Sequence, residues 1–163
     1  MLVNIDKILY TTDLTIGSSE AFKYAAFLAK NTGADIHILH VLEKRSKEAK
    51  QTLETYVIDE DSRKEALDGR FSHAQEKLKL RQNEFWSAVD EQDQSARRRI
   101  KSITIVESHP TDAILKLARD LSVDMIVMGT HEKGFVETLL GSVAKKVLAK
   151  SRIPVLAVPL PEK

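Results

Sequence analysis

The chain contains no cysteine among its 163 residues. That excludes disulfides, thiol catalysis and cysteine-ligated metal sites, and it suits a reducing compartment. A surplus of charge is lacking too. The 25 Lys and Arg against 24 Asp and Glu leave a formal charge of +1, so bulk electrostatics point neither to nucleic acid nor to an anionic membrane. No apolar run is long enough to span a bilayer, and Asp6 and Lys7 interrupt the opening "MLVNIDKILY" before a signal-peptide core can form. A cytoplasmic protein with no nucleic-acid or membrane partner is expected. Several catalytic motifs are missing as well: the P-loop G-x-x-x-x-G-K-[ST], a G-x-G-x-x-G after the first strand, and a G-x-S-x-G nucleophile elbow. The histidines offer no metal site. His37 and His40 lie three apart in a strand-like run, hence on opposite faces, with His73 and His109 remote.

What is present reads as a folded α/β chain. With 42% apolar and 30% charged residues, residues 1–163 are long and apolar enough for a single domain with a substantial core. "KILYTT" (Lys7–Thr12) is a short β-prone run. It is followed by a helix that Ser18 or Ser19 can cap, with Ala21, Phe22, Ala25, Leu28 and Ala29 on one face and Gly33 placed to end it. "ADIHILHVL" (Ala34–Leu42) is a second strand, which completes a βαβ unit and implies parallel pairing. Residues 43–99 change character and read as a charged helical insert. Leu67, Phe71, Ala74, Leu78, Phe85 and Val89 recur at helical spacing within it, and Lys44–Asp61 reads as loop or short helix. The run "ARRRIK" (Ala96–Lys101) reads as a solvated segment entering the next strand.

The alternation then resumes with the strand "KSITIVE", a helix with Pro110 in its first turn, the continuous apolar strand "MIVMG", a helix beginning at Ser142 and the strand "IPVLAVP". The two prolines of the last strand suit an edge position. The expected fold is an open five-stranded parallel sheet with helices on both faces, Rossmann-like in outline.

In such sheets ligands bind outside the carboxyl ends of the strands. Asp13, at the mouth of the first strand, reads equally as a hydrogen-bond acceptor for a base or sugar and as a turn acid bonding its own backbone. Gly129 reads as a residue permitting positive φ or close approach of a phosphate, or as a plain strand-end turn. His131 and Lys133 are possible phosphate contacts or solvated loop residues. Gly141-Ser142 joins a helix-capping hydroxyl to open backbone N–H groups, which is the physical basis of an anion site.

Four segments together resemble the universal stress protein family: "KILYTTDLTIGSSEAFKYAAFLA", "HILHVL", "SHPTDAILKLARDLSVDMIVMGTH" and "LLGSVAKKVLAKSRIPVLAVP". The resemblance covers roughly residues 3–42 and 100–160 and does not extend in detail to 43–99. It implies the adenine nucleotide alpha hydrolase-like version of the fold. It also implies a regulatory protein that binds an adenine nucleotide such as ATP, alone or with Mg2+, and that is at most a slow ATPase. By resemblance, Asp13 and Val41 meet adenine and ribose. Gly129, His131 and the turn containing Lys133 and Gly134 meet ribose and phosphates, and Gly141, Ser142 and Val143 hold the phosphate tail. Thr12 and Met128 complete the expected set. The resemblance further implies a homodimer built by pairing last strands.

Members that bind ATP resemble G-x2-G-x9-G-[ST] after the fourth strand. Here Glu132 stands at the middle glycine, the second spacing is one residue shorter, and Gly134 lies two residues beyond the expected place. A non-glycine residue in a left-handed turn costs ~1–2 kcal/mol, and a carboxylate ~4 Å from a phosphate adds ~1–4 kcal/mol of repulsion between water-like and surface conditions. Two other readings follow. One is a non-nucleotide interaction module working through its dimer surface and the insert, with Phe85 and Trp86 as contacts. The other is a small hydrolase or nucleotidyl-transfer enzyme on the same scaffold. The expected outcome for Glu132→Gly is an ATP affinity raised at least ~10-fold in a calorimetric titration, about 1.4 kcal/mol. No gain in a protein that also fails to bind ATP removes the nucleotide reading.

Overall fold

The computed structural model describes residues 1–44, 47–56, 59–130 and 140–159 of the chain, with the side chains of Leu53 and Leu67 outside that description. Five parallel strands form one sheet in the order β3-β2-β1-β4-β5. They are β1 (Lys7–Thr12), β2 (Asp35–Glu43), β3 (Ile100–Ser108), β4 (Met125–Gly129) and β5 (Val155–Val158). The central strand β1 is buried on both faces from Ile8 to Thr12, which is why it reads as an apolar run and not as an alternation. β5 stands at an edge, as its flanking Pro154 and Pro159 suggested, and β3 is the other edge.

Helices cover both faces. Helix α1 (Ile16–Thr32), helix α3 (Glu60–Ala88) and the 3-10 segment Glu91–Arg99 share one core with Ile8, Tyr10, Ile36, Ile38 and Val127. Helices α4 (Pro110–Asp120) and α5 (Ser142–Lys150) share the other with Leu9, Leu39, Ile126 and Met128. Within residues 43–99 lies also α2 (Lys47–Tyr56), a short helix on the segment left as loop or helix by the sequence. The inward face of α3 carries Ala74 and Leu78, with Phe85 and Val89 packed against the same core, as the spacing predicted; Leu67's side chain lies outside the described residues.

Two sequence expectations change. Helix α1 starts a turn earlier than its serines suggested: Thr15 is the N-cap, its hydroxyl accepting from Ser18 N–H at 3.5 Å. Trp86, offered as a surface contact, is 2% exposed. It meets Phe22 edge-to-face at 5.9 Å and Phe85 at 4.9 Å, while Phe22 also meets Phe85 at 4.7 Å and Tyr10 at 4.9 Å. Such ring pairs add about 0.5–1.5 kcal/mol each beyond their burial, so α3 is fastened to α1 by aromatic packing.

Gly33 ends α1 at φ 76°, in the left-handed region, and its N–H bonds to the Ala29 carbonyl. A Cβ there would meet only Arg99 Nη2, at 3.7 Å, so the cost of a side chain is conformational. Gly33→Ala is expected to lower unfolding free energy by about 1–2 kcal/mol, and Gly33→Asn by less, since Asn tolerates this region. Urea titration of the three proteins checks the order; equal midpoints for Gly and Ala would refute it.

Candidate functional site

The strand order reverses between β1 and β4, because β2 and β3 extend the sheet to one side of β1 and β4 and β5 to the other. At such a point the loops leave in opposite directions and open a crevice above the carboxyl ends. A cleft lies there. Thr11, Thr12 and Asp13 line it from β1, Val41 and Glu43 from β2, and Met128, Gly129 and Thr130 from β4. Ser18, Pro110 and Ile114 come from α1 and α4, and Gly141, Val143 and Ala144 from the start of α5. Its volume is about 130 Å³, small beside the roughly 300–1,000 Å³ of pockets that enclose a whole ligand. The described residues therefore build part of a site.

The wall formed by β1 and α1 is held by directional bonds. Asp13 Oδ1 accepts from Thr15 N–H at 2.9 Å, from the Thr15 hydroxyl and from the Ser18 hydroxyl at 2.9 Å. With Ser18 donating to the carboxylate, the Thr12 hydroxyl donates to Ser18 Oγ at 2.8 Å and accepts from Leu14 N–H at 3.0 Å. Below them the Tyr10 hydroxyl donates to the Ser18 carbonyl at 2.7 Å, and burial pushes that phenol well above its usual range, so it stays a donor. His40, 8% exposed, lies 2.7 Å through Nδ1 from the Thr12 carbonyl. A carbonyl only accepts, so Nδ1 carries the proton. Leu14 takes φ 66° with its side chain 6% exposed. This conformation costs a non-glycine residue ~1–2 kcal/mol, and it turns the chain sharply so that Asp13 stays at the surface while Leu14 is buried.

The acid performs the turn role that its residue type allowed. Oδ1 organises the turn, and no described residue donates to Oδ2. Beside it Val41 and Met128 give the cleft an apolar part. Asp13 and Glu43 are the charged residues among the described lining, both acids. This end accordingly favours a neutral ring with hydrogen-bond donors over a phosphate, whose charge two carboxylates repel.

Of the residues expected at a site, the structure brings Thr12, Asp13, Val41, Met128, Gly129, Gly141 and Val143 to one cleft. Ser142 opens α5 but does not line it. His131, Lys133 and Gly134, together with Glu132, lie outside the described residues. Two expected roles change. Gly129 is not in the left-handed region; a Cβ on it would lie 3.3 Å from both the carbonyl carbon and the oxygen of Gly17. Its missing side chain lets the first turn of α1 rest on the end of β4. The Gly141 N–H, expected to face a phosphate, donates to the Thr130 carbonyl at 2.6 Å, and Thr130 N–H donates to the Val158 carbonyl at 3.1 Å. The helix behind it opens with Lys145 N–H on the Gly141 carbonyl. Glu43 went unread in the sequence although it stands two residues beyond Val41, hence on the same strand face. Ser18 was read as a cap and Pro110 as a first-turn residue; the i, i+4 spacing of Pro110 and Ile114 puts both at the cleft. The histidines part company: His40 binds β1, whereas His37 Nδ1 meets Ser102 Oγ on β3 at 2.7 Å.

Comparison with known proteins supplies the context for this geometry. The profile of the Universal stress protein family matches residues 4–159. Universal stress protein MJ0577 of Methanocaldococcus jannaschii is 28% identical over 159 residues, 97% of each chain. Its solved structure superimposes with a TM-score of 0.75 at 27% identity, covering 99% of this chain and 100% of that one. Universal stress protein G of Escherichia coli O157:H7 is 30% identical over 141 residues, 86% of this chain and 88% of that protein. The universal stress protein from Archaeoglobus fulgidus, solved in complex with dAMP, shares the fold with a TM-score of 0.59 at 18% identity, covering 96% of this chain and 99% of that one.

The contact between Gly129 and Gly17 generates a test. The backbone it would push is held by Tyr10 and Asp13, so Gly129→Ala is expected to cost about 1–3 kcal/mol, the range of overpacking. A lowered urea midpoint with an unchanged slope is the expected result, and native-like stability would show that the turn yields freely.

Proposed function

This chain belongs to the universal stress protein family, and on that footing we propose that its cleft binds an adenine nucleotide and that the protein acts as a regulator, not a catalyst. The carrying observation is Asp13, a cleft-lining carboxylate whose Oδ1 is fixed by three donors while no described residue donates to Oδ2, with Val41 and Met128 lining the same cleft. A purine amino group has the donors that such an acceptor lacks, and the ring has the apolar faces that valine and methionine match. The dAMP complex of the Archaeoglobus fulgidus relative supports the choice of base. In this reading the nucleoside end sits between β1 and β4. The phosphates extend toward the start of α5, away from Asp13 and Glu43. Among the described residues no three His, Asp or Glu side chains converge. Mg2+, where it accompanies ATP, is then held by the phosphates and water.

The wider proposal is one functional unit, residues 1–163 with the helical segment 43–99 built in, working in the cytoplasm as a homodimer paired along the edge strand β5. Ligand occupancy would act by steadying the walls of the cleft beside that strand, through the Thr130–Val158 bond. Any ATP hydrolysis would be slow, for want of an activated nucleophile in the described lining.

Thermal unfolding with increasing ATP tests the reading. The melting temperature should rise with the saturating form of simple linkage. Val41→Trp, which fills the apolar part of the cleft, should abolish that rise while leaving the unliganded protein folded. A native protein whose melting temperature is indifferent to millimolar ATP, AMP and adenosine overturns it.

A further inference from the structure

The second sheet edge carries an inference independent of the nucleotide cleft. An edge strand turns every other N–H and C=O outward, and proteins blunt such rows with charge, proline, bulges or brevity. β5 is blunted by brevity, four residues between two prolines. β3 is not. It runs for nine residues, its one irregularity of register falls at its start, opposite Ile36 and His37, and the stretch Ser102–Val106 contains no charge, proline or glycine. Among the described residues no strand pairs with its outer side.

The face beside this edge is also incompletely covered. Ile105 packs into the core beneath α3, whereas Ile103, two residues back on the same face, is 53% exposed. Between α3 and β3 runs an open groove of about 770 Å³ with Phe71, Leu78, Ile103 and Ile105 among its apolar lining. Its charged lining residues are Lys79 and Arg97; no carboxylate is among them. Arg97 heads the basic run that sequence reading set aside as a solvated segment. Arg97, Arg98 and Arg99 are exposed, and Arg99 and Lys101 share Asp35 at 3.9 Å each. The run leads straight into the open edge, and Arg97 is its member that lines the groove.

We propose that the β3 edge is a docking site for an extended acidic segment of a partner protein. The segment adds a sixth strand beside β3, lays β-branched side chains into the α3–β3 groove, and sets Asp or Glu residues against Lys79 and Arg97. Backbone pairing supplies affinity, and the alternate side chains and charges supply selectivity.

The test uses the intact protein and a labelled ten-residue peptide with an alternating Val-Thr centre and two Glu at each end, followed by fluorescence anisotropy. Saturable binding is expected, weakening with added salt. Replacing the four Glu by Lys should reduce affinity at least ~10-fold. Two further peptides carry N-methyl groups on one or the other alternate set of backbone amides. The set facing β3 should abolish binding and the opposite set should leave it, since only one set enters the ladder. The double variant Lys79→Glu/Arg97→Glu should lose the acidic peptide and gain the lysine one, and Ile103→Lys should weaken both, with far-UV dichroism confirming the fold of each. Equal binding of the two methylated peptides, or of the acidic and basic ones, overturns the proposal. So does self-association that Ile103→Lys disrupts in a protein that ignores the peptide, which would make a second copy of the chain the occupant.

Discussion

The attachment of the first turn of α1 to the end of β1 is the constraint on which the cleft depends. One buried phenol, three hydroxyls and one carboxylate oxygen converge within that turn, each with its donor or acceptor matched. The bonds among Tyr10, Thr12, Leu14 and Ser18 are buried, where such bonds are strong when complete and costly when one is missing. Three donors converge on one oxygen of Asp13 and hold its carboxylate in place. The conformational cost at Leu14 is offset by burying its side chain and by the bond that Thr12 makes to its N–H. Gly129 completes the arrangement from the far side, because only hydrogen at that position lets the helix settle on β4.

Packing extends this constraint outward. Phe22, one turn further along α1, joins Tyr10 to Phe85 and Trp86 of α3, so the long charged segment is not an appendage. Its inner face closes the core, and its polar outer face accounts for the unusual charge content that set it apart in the sequence. α3 is also tied to the strand ends by Arg70, which donates to the Glu43 carbonyl at 3.1 Å and lies 3.6 Å from Glu107. Glu43 borders the cleft. The helical segment and the crevice therefore share a strand terminus.

The fold was largely legible because a parallel sheet covered on both faces writes its strands as unbroken apolar runs, and the helices between them carry one apolar face each. β1, β4, the stop at Gly33 and the start at Ser142 were read where the structure places them. The start of α1 was not, because Asp13, Thr15, Ser18 and Ser19 are all competent caps, and only tertiary bonds decide which one serves. The reason for Gly129 was invisible for a similar cause. Its partner, Gly17, is remote in sequence and reaches it only through the parallel pairing of β1 with β4. The helical spacing marked Phe85 as inward but not its neighbour. Trp86 turns inward completely, with its ring N–H satisfied by Gln82 at 3.0 Å.

The bond between Thr130 and Gly141 has a consequence of a different kind. It closes the neck of the connection between β4 and α5, while the Thr130–Val158 bond moors the same point to the sheet. Thr130 and Gly141 are thus pinned to each other and to the sheet by bonds made of backbone atoms alone. Side-chain substitutions leave such a pin in place, because its atoms belong to the main chain.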